Sequence, residues 1–365
     1  MFKKFITGVG IAALSLTAGV PALAATESDS NAVYTASNNP AGNSILVYHR
    51  AANGTLTPTA EVATGGLGTG SGLGNQSGLV LSDDGTVLVV NAGSNNISLL
   101  RQSSGSLTLK STTSSGGIQP SSITRHNNIV YVLNAGSDNI TGFTLSGDTL
   151  QPIIGSTRPL SGTGTGPAQV AFNPDGTVLL VTEKVTNKID TYTVDSSGVA
   201  TGPNVQNSSG QTPFGFTFDK LGHAIVSEAF GGAASALSSY AVADTGNLSF
   251  VSQSVGATGQ KAACWVAVSK NGKFAYTTNT ASGTISIYGI GHGHDSMLRL
   301  LQAIGANTGN GPIDLSLSNN GQFLYVLNAG SHTIQGFKVN QDTGQLTLIT
   351  TLTGISSGAN GLVAQ

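Results

Sequence analysis

A ten-residue stretch, Tyr131-Val132-Leu133-Asn134-Ala135-Gly136-Ser137-Asp138-Asn139-Ile140, returns almost letter for letter as Tyr325 to Ile334. Val89 to Ile97 is a further copy, and weaker ones end at Thr182-Glu183, Ser227-Glu228, Thr278-Asn279 and Ala36-Ser37, making seven. From Asn91 the shared position steps by 43, 49, 45, 51 and 49 residues to Asn134, Glu183, Glu228, Asn279 and Asn328. A repeat of this length means one supersecondary unit per period, each too small to bury its apolar face alone.

Each unit reads as several short strands. Gly166 to Phe172 leads through Asn173-Pro174-Asp175-Gly176 into Val178 to Thr182, then Ile189 to Val194, then a last polar strand. Ser82-Asp83-Asp84-Gly85, Ser269-Lys270-Asn271-Gly272 and Ser318-Asn319-Asn320-Gly321 hold the same place, where a tight turn needs residues that tolerate positive φ or bond their own backbone. No sustained helical period is visible in the chain after its first residues. Four strands about every 45 residues predict an all-β, seven-bladed β-propeller. The first copy begins at its second strand, Ala32 to Ala36, while Gly358 to Ala364 resembles the inner strand Gly74 to Leu81. The C-terminal strand is therefore expected to complete the N-terminal blade, so residues 25–365 should form a single propeller domain without free inner edges.

Residues 1–24 read as a cleaved signal peptide: Lys3 and Lys4, an apolar run from Ile6 to Val20, and small residues at Ala22 and Ala24. An exported protein, periplasmic or secreted, is expected, with no membrane span in the mature chain. Its charge is small, −2 over the whole chain with 15 basic and 17 acidic residues, which argues against nucleic acid as a partner. The one cysteine, Cys264, excludes an intrachain disulfide and lies in an apolar strand-like run, so a buried inert thiol is expected.

In a propeller the starts of the inner strands and the ends of the second strands meet on one face, around the central channel. Two rings of candidates follow. The second-strand ends are Ser37, Asn91, Asn134, Glu183, Glu228, Asn279 and Asn328; the inner-strand starts are Gln76, Ser121, Gln169, Phe214, Trp265, Asp314 and Asn360. An Asn before Ala-Gly-Ser can cap a turn through its own backbone, a structural use, or it can position a ligand. Two glutamates in adjacent blades would repel, raising the pKa of one and giving a pair suited to acid–base chemistry; pairing with a neighbour such as Lys184 is the structural alternative. Other motifs carry less. His292, His294 and Asp295 offer too few ligands in an outer loop for a metal site. Gly354 to Gly358 spells a serine-hydrolase elbow without its strand-to-helix setting. The glycine run Gly65 to Gly70 reads as a loop between blades, and no metal or cofactor is expected.

The units resemble the seven-bladed lactonase propellers, the family of bacterial 6-phosphogluconolactonase and fungal carboxymuconate cyclase. The Tyr-Val-Leu-Asn copies are also similar to the YVTN repeats of exported surface proteins. The resemblance spans the mature chain and is most specific at Gly166-Pro167 through Glu183, at Phe214-Gly215-Phe216 with Ser227-Glu228-Ala229, and at Cys264-Trp265-Val266 through Asn279. It implies a histidine, an arginine and a glutamate at the channel mouth. The glutamate falls on Glu183, whereas the arginine–histidine pair falls on Ala168 and Gln169, and the remaining histidine near Ser121.

The resulting expectation is a monomer binding a small polar ligand at the channel mouth, with Gln169, Asn91, Asn134, Asn279, Asn328, Asp314 and Trp265 as ligand-binding residues. If it hydrolyses a sugar lactone, Glu183 is the general base and Glu228 the acid or charge partner. The alternative is a non-enzymatic cell-envelope or extracellular interaction propeller with a degenerate lactonase site.

Overall fold

The computed structural model describes residues 31–103, 106–291 and 297–365. The signal segment and the His292–Asp295 cluster lie outside them. Among the described residues the only helical element is a 3-10 turn, Phe230–Gly232, and all other regular structure is strand.

The strands form seven antiparallel sheets. Blade 4 shows the plan: Pro167–Phe172, Val178–Glu183, Lys188–Val194 and Ala200–Asn207 follow one another from axis to rim. The inner strands of the other blades are Leu79–Leu81 (blade 2), Pro120–His126 (blade 3), Pro213–Phe218 (blade 5), Ala263–Val268 (blade 6) and Pro312–Leu317 (blade 7). Each packs against the next, and Asn360–Ala364 lies between blades 7 and 2, so the ring is closed. Blade 3 departs from the plan at its rim, where Thr149–Pro152 and Arg158–Pro159 share the outer edge of Asn139–Ser146.

Closure occurs as the sequence predicts. Val33, Tyr34 and Thr35 pair with Ala364, Val363 and Leu362, and the Thr35 hydroxyl donates to the Gly361 carbonyl at 2.6 Å. Leu362 and Ala364 pack with Tyr48, Tyr325 and Leu327, joining blade 1 to blade 7. One part of the expected plan fails. Gly74 to Gly78 is not strand: the inner strand of blade 2 shortens to Leu79–Leu81, and the preceding residues leave the sheet for the channel.

Second strands are buried throughout, as in Val178–Glu183, because blades cover both their faces. The outer strands alternate between exposed and half-buried, as in Ser106–Ser114. Blades are also latched by tyrosines. Tyr131, Tyr276 and Tyr325, each on a second strand, donate to the carbonyls of Gly198, Gly344 and Gly54 in the outer hairpin of the next blade, at 2.7, 3.0 and 2.7 Å. A buried phenol needs such a partner, and the ring contributes a large apolar area to the interblade core.

Candidate functional site

The second-strand ends come first. Asn91, Asn134, Glu183, Glu228, Asn279 and Asn328 are all 0% exposed, and Ser37 is nearly so. Their side chains turn away from the axis. Asn91 donates to Asn96 and Ser98 at 2.7 and 2.8 Å, Asn279 to Thr284 and Ser286 at 3.0 and 2.8 Å, and Asn328 to Thr333 and Gln335, both at 3.1 Å. Asn134 donates to Asn139 at 2.8 Å and to the Ser115 carbonyl at 3.2 Å. These partners sit five and seven residues on, along the third strand, or on the connector leading into the blade. None lies on an inner strand. The asparagines are thus structural, but not by the expected route: they brace a neighbouring strand rather than cap their own turn.

The two glutamates do the same work with the opposite polarity. A carboxylate can only accept, so it gathers donors from the incoming connector. Glu183 accepts from the Ser161 amide at 3.0 Å and hydroxyl at 2.6 Å, and from the Thr186 hydroxyl. Glu228 accepts from the Gly210 amide at 2.8 Å and the Ser254 hydroxyl. They do not share a site, which corrects the expectation of mutual repulsion at a common mouth. Burial, not Glu183, pushes the Glu228 carboxyl up, opposed by hydrogen bonds from Ser238, Ser254 and Gly210. The carboxyl coupled to Glu183 is Asp190 of the same blade, pushed up to about 8 by burial first and by Glu183 second. A pair of coupled carboxyls is a form used in acid–base catalysis. Here both are fully buried inside a blade, out of reach of a substrate.

Four of the inner-strand starts, Gln76, Ser121, Gln169 and Asn360, come together around a segment of the chain itself. Gly74 to Gly78 crosses the axis as a strap. Gln76 leaves blade 2 and reaches blade 6, where its amide accepts from the Val266 N–H and donates to the Val266 carbonyl, both at 3.1 Å. Its own N–H donates to the Ala168 carbonyl at 3.1 Å. Asn75 donates to the Ser121 carbonyl and accepts from Asn360 at 2.8 Å, while Ser77 accepts through its carbonyl from Ile123 at 2.8 Å. Gln169 donates to the Ser77 hydroxyl at 3.3 Å and accepts from the Phe216 amide at 2.7 Å. The Gln76 amide also donates to the Phe216 carbonyl at 3.5 Å, so the strap ties to blades 1, 3, 4, 5 and 6. Gly215 permits this closeness, since a Cβ there would stand 1.9 Å from the Gln76 side-chain oxygen.

Beside the strap-bound Lys184 lie Phe214 and Trp265, while Asp314 is buried at the start of the blade 7 inner strand. The rings of Phe214 and Trp265 are 5.0 Å apart, and the indole N–H is buried without a hydrogen-bond partner. Asp314 accepts from the Leu315 amide at 2.8 Å, and burial lifts its carboxyl well above the ordinary range. Cys264 is buried, with its thiol pushed up to about 11 by burial.

Lys184 is the mouth residue that the sequence reading misplaced. It does not pair with Glu183; its ammonium donates to the Gly74 and Pro167 carbonyls and stands 4.9 Å from the Phe214 ring centre. Burial lowers it to about 8. The signal was present: the residue after the ring position is Ala in four other blades, at Ala92, Ala135, Ala229 and Ala329, and a lysine at such a place has to go somewhere.

A family model described as a seven-bladed β-propeller lactonase matches residues 42–153, 148–264 and 251–359. The chain belongs to the lactonase propeller family. Solved structures agree with this lactonase-family fold. A candidate 6-phosphogluconolactonase from Bacteroides fragilis superposes with a TM-score of 0.75 at 20% identity, covering 92% of this chain and 98% of that one. The periplasmic gluconolactonase of Pseudomonas aeruginosa gives 0.70 at 18% identity, over 92% and 99%. A protein of unknown function from Desulfotomaculum acetoxidans gives 0.72 at 14%, over 92% and 98%. At these identities the likeness establishes the fold of this lactonase-family chain and not its chemistry. No curated protein sequence matches the chain. Among the described residues no group of three His, Cys, Asp or Glu could hold a metal, and no helix is long and apolar enough to cross a membrane.

Proposed function

We propose that this lactonase-family propeller is an exported, monomeric, non-hydrolytic binding protein, its lactonase site degenerate. The observation that carries the reading is the strap. Gln76 and its neighbours fill the mouth with hydrogen bonds to five blades, and the one cation there among the described residues, Lys184, is engaged by two carbonyls. A lactonase needs a group to deliver water and a positive charge to meet the developing oxyanion. Glu183 and Glu228 are sealed inside their blades, and Ala168 stands where the resemblance implies a cationic residue. The exported location rests on residues 1–24 alone.

Hydrolysis of a sugar lactone is the second reading. The relatives named as gluconolactonases favour it, together with Lys184: were the strap displaced, an ammonium beside an aromatic face could hold an anionic lactone. Measuring the opening of six-carbon sugar lactones, phosphorylated and free, by wild type and by Glu183→Gln separates the two. Rates equal to the uncatalysed background in both support the binding protein. Turnover in wild type establishes a hydrolase, and its loss in a folded Glu183→Gln would give the glutamate a role in it.

A further inference from the structure

The opposite face of the disc carries a separate opening. In blades 2 to 7 a tight turn joins inner to second strand on that face. Blade 1 has no such turn, because its two innermost strands come from distant parts of the chain, Asn360–Ala364 and Ala32–Ala36. The place a seventh turn would cover is a cavity of about 380 Å³ over the end of the blade 1 inner strand. That is a size suited to a small ligand.

Its walls are polar: Ser82 and Asp83 from blade 2, Lys270 from blade 6, Ser316 and Asn319 from blade 7, and Gln365. Asp83, Lys270 and Asn319 occupy the same second position of three homologous turns, which sets them around the rim. Asp84, the neighbour of Asp83, is bound to Arg125 at 2.9 Å and to Arg101. Asp83 and Lys270 are different. Among the described residues neither side chain has an ion-pair or hydrogen-bond partner, although they stand on opposite sides of one cavity. Ser316 accepts from the Ala364 amide at 3.1 Å and keeps its hydroxyl proton free to donate.

We propose that this cavity binds a small zwitterion of the amino-acid or short-peptide class, its ammonium on Asp83 and its carboxylate on Lys270. One unpaired charge of each sign is the deciding feature. A dianion would meet a single cation and be repelled by Asp83. A metal ion would find one carboxylate, far short of a coordination shell. A free sugar would make no use of either charge, and the walls hold no aromatic ring on which it could stack. The site does not depend on whether the strapped mouth is hydrolytic, since it lies at the other end of the channel.

The test is calorimetric titration of the whole folded protein with L-alanyl-L-alanine. Saturable binding is expected, weakening with added salt, and weaker by roughly fivefold for the N-acetylated or C-amidated dipeptide, the loss set by one solvent-exposed charge contact. Asp83→Asn and Lys270→Gln should each produce the same loss with little change in melting temperature, since neither side chain holds an ion pair or hydrogen bond among the described residues. Absence of saturable binding, equal affinity for the blocked peptides, or glucose binding as tightly as the dipeptide would each overturn the proposal.

Discussion

Asp190 is a buried acid that the fold keeps protonated, and its replacement by the neutral isostere has a defined consequence. The carboxyl moves from 3.8 to about 8 on folding, by burial and by the adjacent Glu183. The folded state therefore binds a proton that the unfolded state has released. Stability from this group is complete below about pH 4 and is lost as pH rises through about 8. At 1.36 kcal/mol per unit, the interval of about four units sets a ceiling of roughly 6 kcal/mol, and relaxation around the Glu183 pair brings the expected loss to about half of that. Asp190→Asn retains a neutral group able to donate to Glu183 and has nothing to titrate. Urea midpoints measured from pH 4 to 9 should fall for wild type and stay flatter for the variant, whose relative advantage grows up to about pH 8. Glu228 and Asp314 titrate in both proteins and cancel in the difference. Parallel curves would refute the argument that Asp190 is neutral in the folded protein.

Three further outcomes follow from the packing. Gln76→Ala removes both bonds to Val266 and leaves a buried N–H and carbonyl unpaired, so thermal unfolding should show a loss of about 2–4 kcal/mol; an unchanged melting temperature would mean the strap is not fixed in the mouth. Deleting residues 360–365 strips the inner strand from blade 1 and exposes the core around Leu362, which should cost several kcal/mol in chemical denaturation, and a melt like wild type would contradict the closure. Cys264, buried with its thiol pushed up to about 11, should resist a thiol-specific chromogenic reagent at pH 8 until the protein is unfolded; rapid labelling of the native protein would contradict its placement.

Seven units, four strands each and the closing strand were legible because they are written as local pattern: turn residues at a fixed place and apolar runs repeated at a fixed interval. The side-chain directions were not. Asn91 and Glu183 occupy one strand position, and the period says nothing about whether that position faces the axis or the third strand; partners five and seven residues on decide it. Family resemblance pointed to Glu183, whereas the mouth holds the next residue, Lys184. Gly74 to Gly78 looks like the start of an inner strand by comparison with Gly358 to Leu362. Its departure into the channel depends on contacts with distant residues, among them Val266, Ala168 and Asn360, and no local feature of the sequence carries that information. Asp190 carries no signal in the sequence, since a strand aspartate ordinarily faces water, and here it is buried against Glu183 and the Ser161 connector.

The claim on which the rest depends is that the mouth is shut by the chain's own strap. Competitive acetylation with peptide mass spectrometry measures this directly at Lys184. Burial lowers the amine to about 8 only while the mouth is covered, so a Lys184 open to water would react about as fast as an ordinary exposed lysine. With the strap in place it should be protected relative to exposed Lys220, and released in Gln76→Ala. Labelling of Lys184 in the native wild-type protein as fast as Lys220, or faster, would show an open mouth and contradict the account.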